Sequence, residues 1–348
     1  MAAQDITVVI PAYRAAATIG RTLDSCLRSL HPEQIIAVLD GPDPDMEEAI
    51  HAASPDIPVH VLPAGSGAPA CRNFGLGQAR TKYVMFLDAD DYVEGEFLAS
   101  VLHTAESAGA DVVFGAFCME NPDGSRKWLS NVQRYNPLEP ATIMKRWLVG
   151  GYTPPCGMIW RSGFVRDIGG WDEALAKNQD GDLVYRALMA KAVLAACEGG
   201  NGVYVLDDNP HRITRQQNAH TLASQAAVLD KIRVRLHELP FDPRPELALA
   251  YYGLARLAYL IWHDAIGADA EARARALGLK GQPGSFLHKL VAIPLGLRRK
   301  QRFGRFAHRL VNPLRGCLGR IRKSAPVAAA AAPLPVRAPA ANAPSPAV

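Results

Sequence analysis

The chain has 348 residues, 49% apolar and 21% charged, a balance that fits a folded globular protein and excludes a fibrous or wholly disordered one. Its six cysteines (Cys26, Cys71, Cys118, Cys156, Cys197, Cys317) are scattered with no Cys-x-x-Cys pair, which argues against a zinc site or disulfide framework and for a reducing compartment. The formal net charge of +4 divides unevenly: residues 1–271 carry 23 basic and 34 acidic side chains, the remainder 15 basic and no acidic ones.

Met1-Ala2-Ala3-Gln4-Asp5 runs straight into a strand-like segment, with neither the basic nor the apolar region of a secretion signal, so a cytoplasmic location is expected. The first strand is expected over 6–10, stopped by Pro11. An amphipathic helix over 18–30 follows, with Ile19, Leu23, Leu27 and Leu30 on one face. The second strand, 35–39, ends in the turn signature Asp40-Gly41-Pro42-Asp43. A short helix over 45–53 precedes a third strand over 59–62, then a Gly/Ala/Pro loop and a helix through 70–75. Strands and helices alternating at this spacing predict βαβ units and a mostly parallel sheet flanked by helices, an α/β fold.

Val84-Met85-Phe86-Leu87-Asp88-Ala89-Asp90-Asp91 comes next. Four apolar residues read as a strand buried on both faces, and three carboxylates arrive where it leaves the sheet. Open α/β sheets bind ligands beyond the carboxyl ends of their strands. Carboxylates placed there suit a hard cation such as Mg²⁺ or Mn²⁺, which leaves its other positions to water and phosphate oxygens. A solvated acidic turn is the plain alternative.

Further on, a helix is expected over 97–107, a strand over 111–119, a hairpin with irregular loop over 121–140 and a helix over 141–149. A loop over 152–155 leads to a short strand over 157–160 and the turn-rich Gly169-Gly170-Trp171-Asp172-Glu173. A helix begins near Asp180, with Leu183, Ala187 and Leu188 inward, and a strand over 203–206 closes this part. Helices follow over 218–238 and 245–263. The second is almost wholly apolar, yet shorter than the ~20 residues a bilayer needs, and Arg256 interrupts it, so it is expected to pack within the protein.

Several of these stretches resemble the family 2 glycosyltransferases, enzymes of the GT-A fold. Thr7-Val8-Val9-Ile10-Pro11-Ala12-Tyr13 resembles that family's opening strand, and Arg72-Asn73-Phe74-Gly75 followed by 83–91 keeps its spacing. Gly169-Gly170-Trp171-Asp172-Glu173 and Gln179-Asp180-Gly181-Asp182-Leu183 look like its downstream motifs. The resemblance covers about residues 5–215. It implies an inverting, non-processive transfer of a sugar from a nucleotide-diphosphate donor, a UDP-sugar being expected, to a hydroxyl of a glycan or lipid-linked acceptor, in surface polysaccharide or glycolipid synthesis. It also implies that Asp90 binds the metal, that Asp88 touches the ribose side of the nucleotide, and that Pro11, Tyr13, Asp40 and Arg72 line the nucleoside pocket. Asp180 falls where the family keeps its general base, in a motif usually written Glu-Asp, with Gln179 here in place of the Glu.

The chemistry suits these residue types. A departing diphosphate gathers charge that a cation neutralises, and the acceptor hydroxyl needs a single carboxylate to take its proton. Asp182 is two residues from Asp180 and points elsewhere on a helix, so Asp180 is the expected base. Each residue has a structural alternative: a helix cap for Asp180, an Asx-turn for Asp40, a surface ion pair for Arg72. Trp171 either belongs to the core or stacks on an acceptor sugar.

Leu39 stands where the family often has an acidic residue, which loosens the inference about the nucleotide. The position of the family's late metal-contacting His corresponds to Thr214, with His211 and His220 as nearby substitutes. The Gln-x-x-Arg-Trp motif of processive synthases is absent. A nucleotidyltransferase would show a Gly-rich phosphate loop after the first strand, and a silent GT-A scaffold would have lost the Asp-x-Asp or the base; neither mark is present.

The expected division is therefore a catalytic domain over 1–215, a helical extension over 216–284, a basic amphipathic segment over 285–323 and a disordered Ala/Pro-rich tail over 324–348. Cations interleaved with Phe and Leu in the third segment suit an anionic membrane surface, a solvated basic face being the plain alternative, and no nucleic-acid-binding module is recognisable.

Overall fold

In the computed structural model, residues 5–206, 217–283 and 296–302 are described. The first part alternates strand and helix: β1 (Ile6–Ala12), α1 (Ala16–Leu27), β2 (Ile35–Asp40), α2 (Pro44–Ala53), β3 (Val59–Leu62), α3 (Gly67–Gln78) and β4 (Tyr83–Phe86). β5 (Tyr92–Glu94), α4 (Phe97–Ala108), β6 (Val112–Phe114), β7 (Phe117–Glu120), β8 (Arg126–Leu129), α5 (Asn131–Arg134) and α6 (Pro140–Leu148) follow. Then come β9 (Met158–Arg161), α7 (Ser162–Asp167), α8 (Gln179–Met189), β10 (Leu194–Ala196), β11 (Asn201–Val205), α9 (Ala219–Val234), α10 (Arg244–Leu260) and α11 (Asp264–Ala276).

Seven strands form the main sheet in the order β10-β6-β9-β4-β1-β2-β3. All neighbours are parallel except β9, which runs against both β4 and β6. The expected α/β architecture is thus present. The period-2 alternation of the strands assigns its two faces. Ile6, Val8 and Ile10 of β1, with Tyr83 and Met85 of β4, pack with Ile19 and Leu23 of α1, Met46 of α2 and Val101 of α4. Val9, Val84 and Phe86 point the other way, into one apolar cluster with Trp147 of α6, Leu183 of α8, Leu229 of α9 and Tyr251 of α10. The C-terminal helices therefore share a core with the sheet. α10 is apolar because α6, α9 and α11 pack around it. Among the described residues no helix is long and apolar enough to cross a membrane.

Several elements differ from expectation. β1 continues through Pro11 to Ala12. Val9 faces β4, its carbonyl accepting Leu87 N–H at 3.0 Å, and Pro11, two residues on, faces the same side. Pairing with β4 ends at Val9–Phe86, so the amide hydrogen that proline lacks would have had no ladder partner there. The strand expected over 111–119 is two. β6 stays in the main sheet, while β7 leaves it for a second sheet of order β5-β11-β7-β8. The backbone changes sheet at Gly115, whose N–H donates to the Gly157 carbonyl and whose carbonyl accepts Asn131 Nδ2. β5, α5, α7, β10 and α11 are additional, the first four being shorter than any periodicity reveals. α1 ends at Leu27, three residues early. The five described cysteines are free thiols.

Met1–Gln301 form one compact unit, and Arg302–Val348 a second of which only Arg302 is described. Apart from 296–302, the basic segment and the Ala/Pro tail lie outside the described residues, as do His211 and Thr214.

β11 runs so close to the 155–157 turn that a Cβ on Gly202 would overlap the Cys156 carbonyl, whereas one on exposed Gly253 of α10 would meet nothing within 4 Å. Gly202→Ala is expected to destabilise the chain by about 1–3 kcal/mol or more. Gly253→Ala is expected to stabilise it by about 0.5–1 kcal/mol. Urea unfolding of both variants checks the pair, and equal midpoints would contradict this packing.

Candidate functional site

The acidic stretch lies where β4 leaves the sheet beside the end of β1. Asp91 N–H donates to the Asp88 carbonyl at 3.0 Å, which closes a tight turn. Helix α1 grips that turn. Thr18 and Thr22 donate from their hydroxyls to the Ala89 carbonyl at 2.9 and 3.0 Å, and Thr22 Oγ1 is also 2.6 Å from the Asp91 carbonyl. Arg21 donates to the Asp90 carbonyl at 3.0 Å. Carboxylate oxygens of Asp88, Asp90 and Asp91 all lie within 4.8 Å of one another.

The three carboxylates have different surroundings. Asp91 is fully buried and accepts Val205 N–H at 2.9 Å, so it fastens β11 to the turn. Burial first, and the Asp91 charge second, push the neighbouring Cys156 thiol well above its ordinary pKa. Half-buried Asp88 is paired with Arg72 of α3 at 2.5 Å. Asp90 is half-buried at the apex of the turn.

Arg72 joins this cluster to the start of α8. It is 4% exposed, donates to Gln179 Oε1 at 3.2 Å and lies over the Trp171 ring, 4.4 Å from its centroid. Asp180, the next residue, feels both Arg72 and Asp88. Burial lifts its pKa from 3.8 to about 6; the Arg72 charge opposes the rise and the Asp88 charge adds to it. A carboxyl poised near neutrality beside a cation is suited to accepting a proton.

The sequence candidates thus separate. Asp88, Arg72 and Asp180 come together, with Asp90 beside Asp88. Asp182 is 1% exposed and points away, paired with Arg186 at 2.8 Å and with Lys231 of α9 at 2.6 Å. Trp171 is 3% exposed, with Phe86 edge-on at 5.1 Å and Arg72 on its face, so it packs in the core and supports Arg72. Asp40 accepts the Ser66 and Gly67 amides at 2.8 and 3.1 Å and pins the start of α3, the helix that carries Arg72. Pro11 is buried at the end of β1, and Tyr13 is 59% exposed with the Arg14 guanidinium over its ring.

Asn73 braces the other side of the site. Its amide donates to the Trp171 carbonyl and accepts the Trp171 N–H, at 2.9 and 2.8 Å. Gly170 sits beside it at φ +65°, where a Cβ would come within 2.6 Å of Asn73 Oδ1. Sequence reasoning missed the grip of α1 on the acidic turn. The signal was Thr18, Arg21 and Thr22 at i, i+3 and i+4, a polar stripe at the start of an amphipathic helix.

As a donor set, the Asp88-Asp90-Asp91 cluster offers hard carboxylate oxygens only, which fits Mg²⁺ or Mn²⁺ and disfavours softer metals. Asp88 and Asp90 are half-buried and Asp91 fully buried, so the first two are the more accessible ligands.

Residues 7–166 match the family described as Glycosyl transferase family 2. The chain is 32% identical over 200 residues to the pre-mycofactocin glycosyltransferase of Mycobacterium tuberculosis, covering 55% of this chain and 40% of that protein. It is 33% identical over 122 residues to the succinoglycan biosynthesis protein ExoO of Rhizobium meliloti, covering 34% and 35%. The chain thus spans about two fifths of these relatives' length. In fold it is similar to S. aureus TarS 1–349 in complex with UDP-GlcNAc, with TM-score 0.55 and 15% identity over 78% of this chain and 91% of that one. The mannosyltransferase PcManGT from Pyrobaculum calidifontis, in complex with GDP-Man and Mn²⁺, has TM-score 0.50 and 14% identity over 87% and 83%. The fold is the GT-A fold.

The raised pKa of Asp180 has a signed consequence for stability. The folded state holds that proton more tightly than the unfolded chain does, so Asp180's contribution to stability is lost as pH rises from about 4 through about 6. Asp180→Asn stays neutral and escapes the loss. In metal-free thermal unfolding the variant's gain over wild type should be smallest near pH 4, grow to about pH 6 and then level off. A difference that ignores pH would contradict the half-buried, proton-holding carboxyl.

Proposed function

We propose that this chain, whose residues 7–166 match the family described as Glycosyl transferase family 2, transfers a sugar from a nucleotide-diphosphate donor to an acceptor hydroxyl with inversion at the anomeric carbon. The observation that carries the reading is a single buried arginine joining the acidic cluster to a lone half-buried carboxyl. Asp88, paired to Arg72, and Asp90 beside it mark the donor side; Asp180, on the next element, marks the acceptor side.

The residues divide the work. Asp90, with Asp88, would hold a divalent cation, which supplies Lewis-acid neutralisation of the diphosphate when bound. Asp88 receives the ribose side of the nucleotide, and Pro11, Tyr13 and Asp40 frame the nucleoside. Asp180 takes the proton of the acceptor hydroxyl as its oxygen attacks the anomeric carbon, and the bond from that carbon to the diphosphate oxygen breaks. One base suffices for a direct displacement, unlike the carboxylate pair of glycoside hydrolysis. Arg72 keeps Asp180 ionised often enough to act, against the burial that favours its neutral form. A UDP-sugar is the expected donor, by the UDP-GlcNAc that S. aureus TarS holds, with a GDP-sugar the alternative that PcManGT raises. A glycan or lipid-linked acceptor in polysaccharide or glycolipid synthesis fits the chain's likeness to a succinoglycan biosynthesis protein. The basic residues of 285–323 would bring the enzyme to an anionic membrane carrying such an acceptor.

With Mn²⁺ and a panel of nucleotide-sugars, Asp90→Ala is expected to lose metal-dependent nucleotide binding at least tenfold. Asp180→Asn should retain binding within about twofold while transfer falls by ~10² or more. Calorimetry and product release measure the two; equal loss of binding in both variants would refute this division of roles. Removing 285–348 should lower co-sedimentation with vesicles containing phosphatidylserine, and unchanged sedimentation would sink the membrane contact.

A further inference from the structure

Asp180 lies beyond residue 166, where the family match ends, and the segment that carries it is held from behind by α9. Two side chains of α9 do this. Ser224 Oγ accepts Lys177 N–H at 2.9 Å and donates to the Lys177 carbonyl at 2.7 Å, fixing the backbone three residues before Asp180. Lys231 Nζ donates to Asp182 Oδ1 and to Asp172 Oδ2, each at 2.6 Å. Asp182 passes the hold on: its other oxygen accepts Arg186 Nε, and Arg186 donates to the Ile168 and Gly170 carbonyls at 2.6 Å. The Lys231 ammonium thus ties together both segments around Arg72, namely the 168–172 loop that places Trp171 beneath it and the first turn of α8 that places Gln179 and Asp180 beside it.

We propose that Lys231, seconded by Ser224, is a positioning residue for Asp180, so that the helices after the family-matched region are a working part of the transfer site. Ser224 and Lys231 reach Lys177, Asp172 and Asp182 on the Asp180 side, so their effect belongs to turnover rather than to donor binding. Without the ammonium, Asp182 at 1% exposure keeps Arg186 as its remaining cation and Asp172 loses the partner that holds its pKa below the carboxylate range. The first turn of α8 is then free to shift while Leu222, Val228, Leu229 and Ile232 keep α9 in the core. Because catalysis depends on the base's placement to well under an ångström, a small shift is costly.

This inference rests on the reading of Asp180 as the base, and the experiment separates the two. Full-length wild type, Lys231→Met, Lys231→Arg and Ser224→Ala are compared for nucleotide release from whichever of UDP-glucose, UDP-N-acetylglucosamine and GDP-mannose the wild type turns over with Mn²⁺. Hydrogen exchange of the 177–183 amides is followed in parallel. Lys231→Met should lower kcat at least tenfold with donor KM within twofold, and speed exchange across 177–183. Lys231→Arg, whose guanidinium also bridges two carboxylates, should recover most of both. Ser224→Ala should show the same pattern more weakly, and it decides the matter if Lys231→Met fails to fold. Unchanged kcat and exchange in Lys231→Met and Ser224→Ala, or equal losses in kcat and donor affinity, would overturn the proposal. A wild type inactive with all three donors counts against the donor reading, and the exchange data then decide the role of α9 on their own.

Discussion

Three carboxylates held within 4.8 Å of one another are the constraint around which this molecule is built. Each pair of charges at that separation repels by about 3 to 4 kcal/mol at the effective dielectric of a protein surface, so the turn does not hold its shape unaided. The surrounding structure supplies the hold in three ways. Thr18, Thr22 and Arg21 donate to backbone carbonyls of the turn and fix its path without consuming a carboxylate. The Val205 amide takes an oxygen of Asp91, which turns one of the three acids into a strut for the second sheet. Arg72 takes Asp88. Asp90 stands at the apex, half-buried, its carbonyl held by Arg21 of α1.

Arg72 is also where the two halves of the site meet. A buried guanidinium is costly unless its charge is answered, and Asp88 answers it directly while Asp180 does so at longer range. Gln179 occupies the remaining side with a neutral amide oxygen. An acidic residue there would set three carboxylates competing for one cation. With glutamine, Arg72 is left to Asp88 and Asp180 alone, which limits how far burial lifts Asp180. The departure of this chain from the family's usual Glu-Asp pair therefore has an electrostatic meaning of its own.

Much of this was legible in the sequence, because the signals are strong where both faces of a strand are buried. β1, β2 and β4 announce themselves as apolar runs, and the Asp-rich turn marks where β4 must stop. The asymmetry of 111–119 was not legible. An unbroken apolar run gives no sign that Gly115 passes it from one sheet to another, since that depends on carbonyl and amide partners in Gly157 and Asn131, distant in the chain. Pro11 misled for a related reason: proline stops a strand only where its missing hydrogen faces a neighbour, and whether a neighbour is there is set by how far β4 extends. At the site, the resemblance to the family 2 glycosyltransferases singled out Asp88, Arg72 and Asp180, and the structure brings them together. The burial of Trp171 and the structural commitments of Asp40 and Asp182 depend on packing partners such as Phe86, Ser66 and Lys231 that no local pattern names.

The same reasoning bears on where the catalytic unit ends. Val9, Val84 and Phe86 put half of the sheet's apolar surface into a cluster that is completed by α9, α10 and α11. Stripping those helices away would expose that face to water at about 25 cal/mol for every Å² of apolar surface, and it would remove Ser224 and Lys231 from behind α8. The acidic turn is held by α1 and β11, and the Asp180 segment by α9, so the two parts of the site depend on different elements. A family match that stops at residue 166 thus covers the acidic turn and Arg72, while the segment that carries Asp180 is completed by helices that lie beyond it.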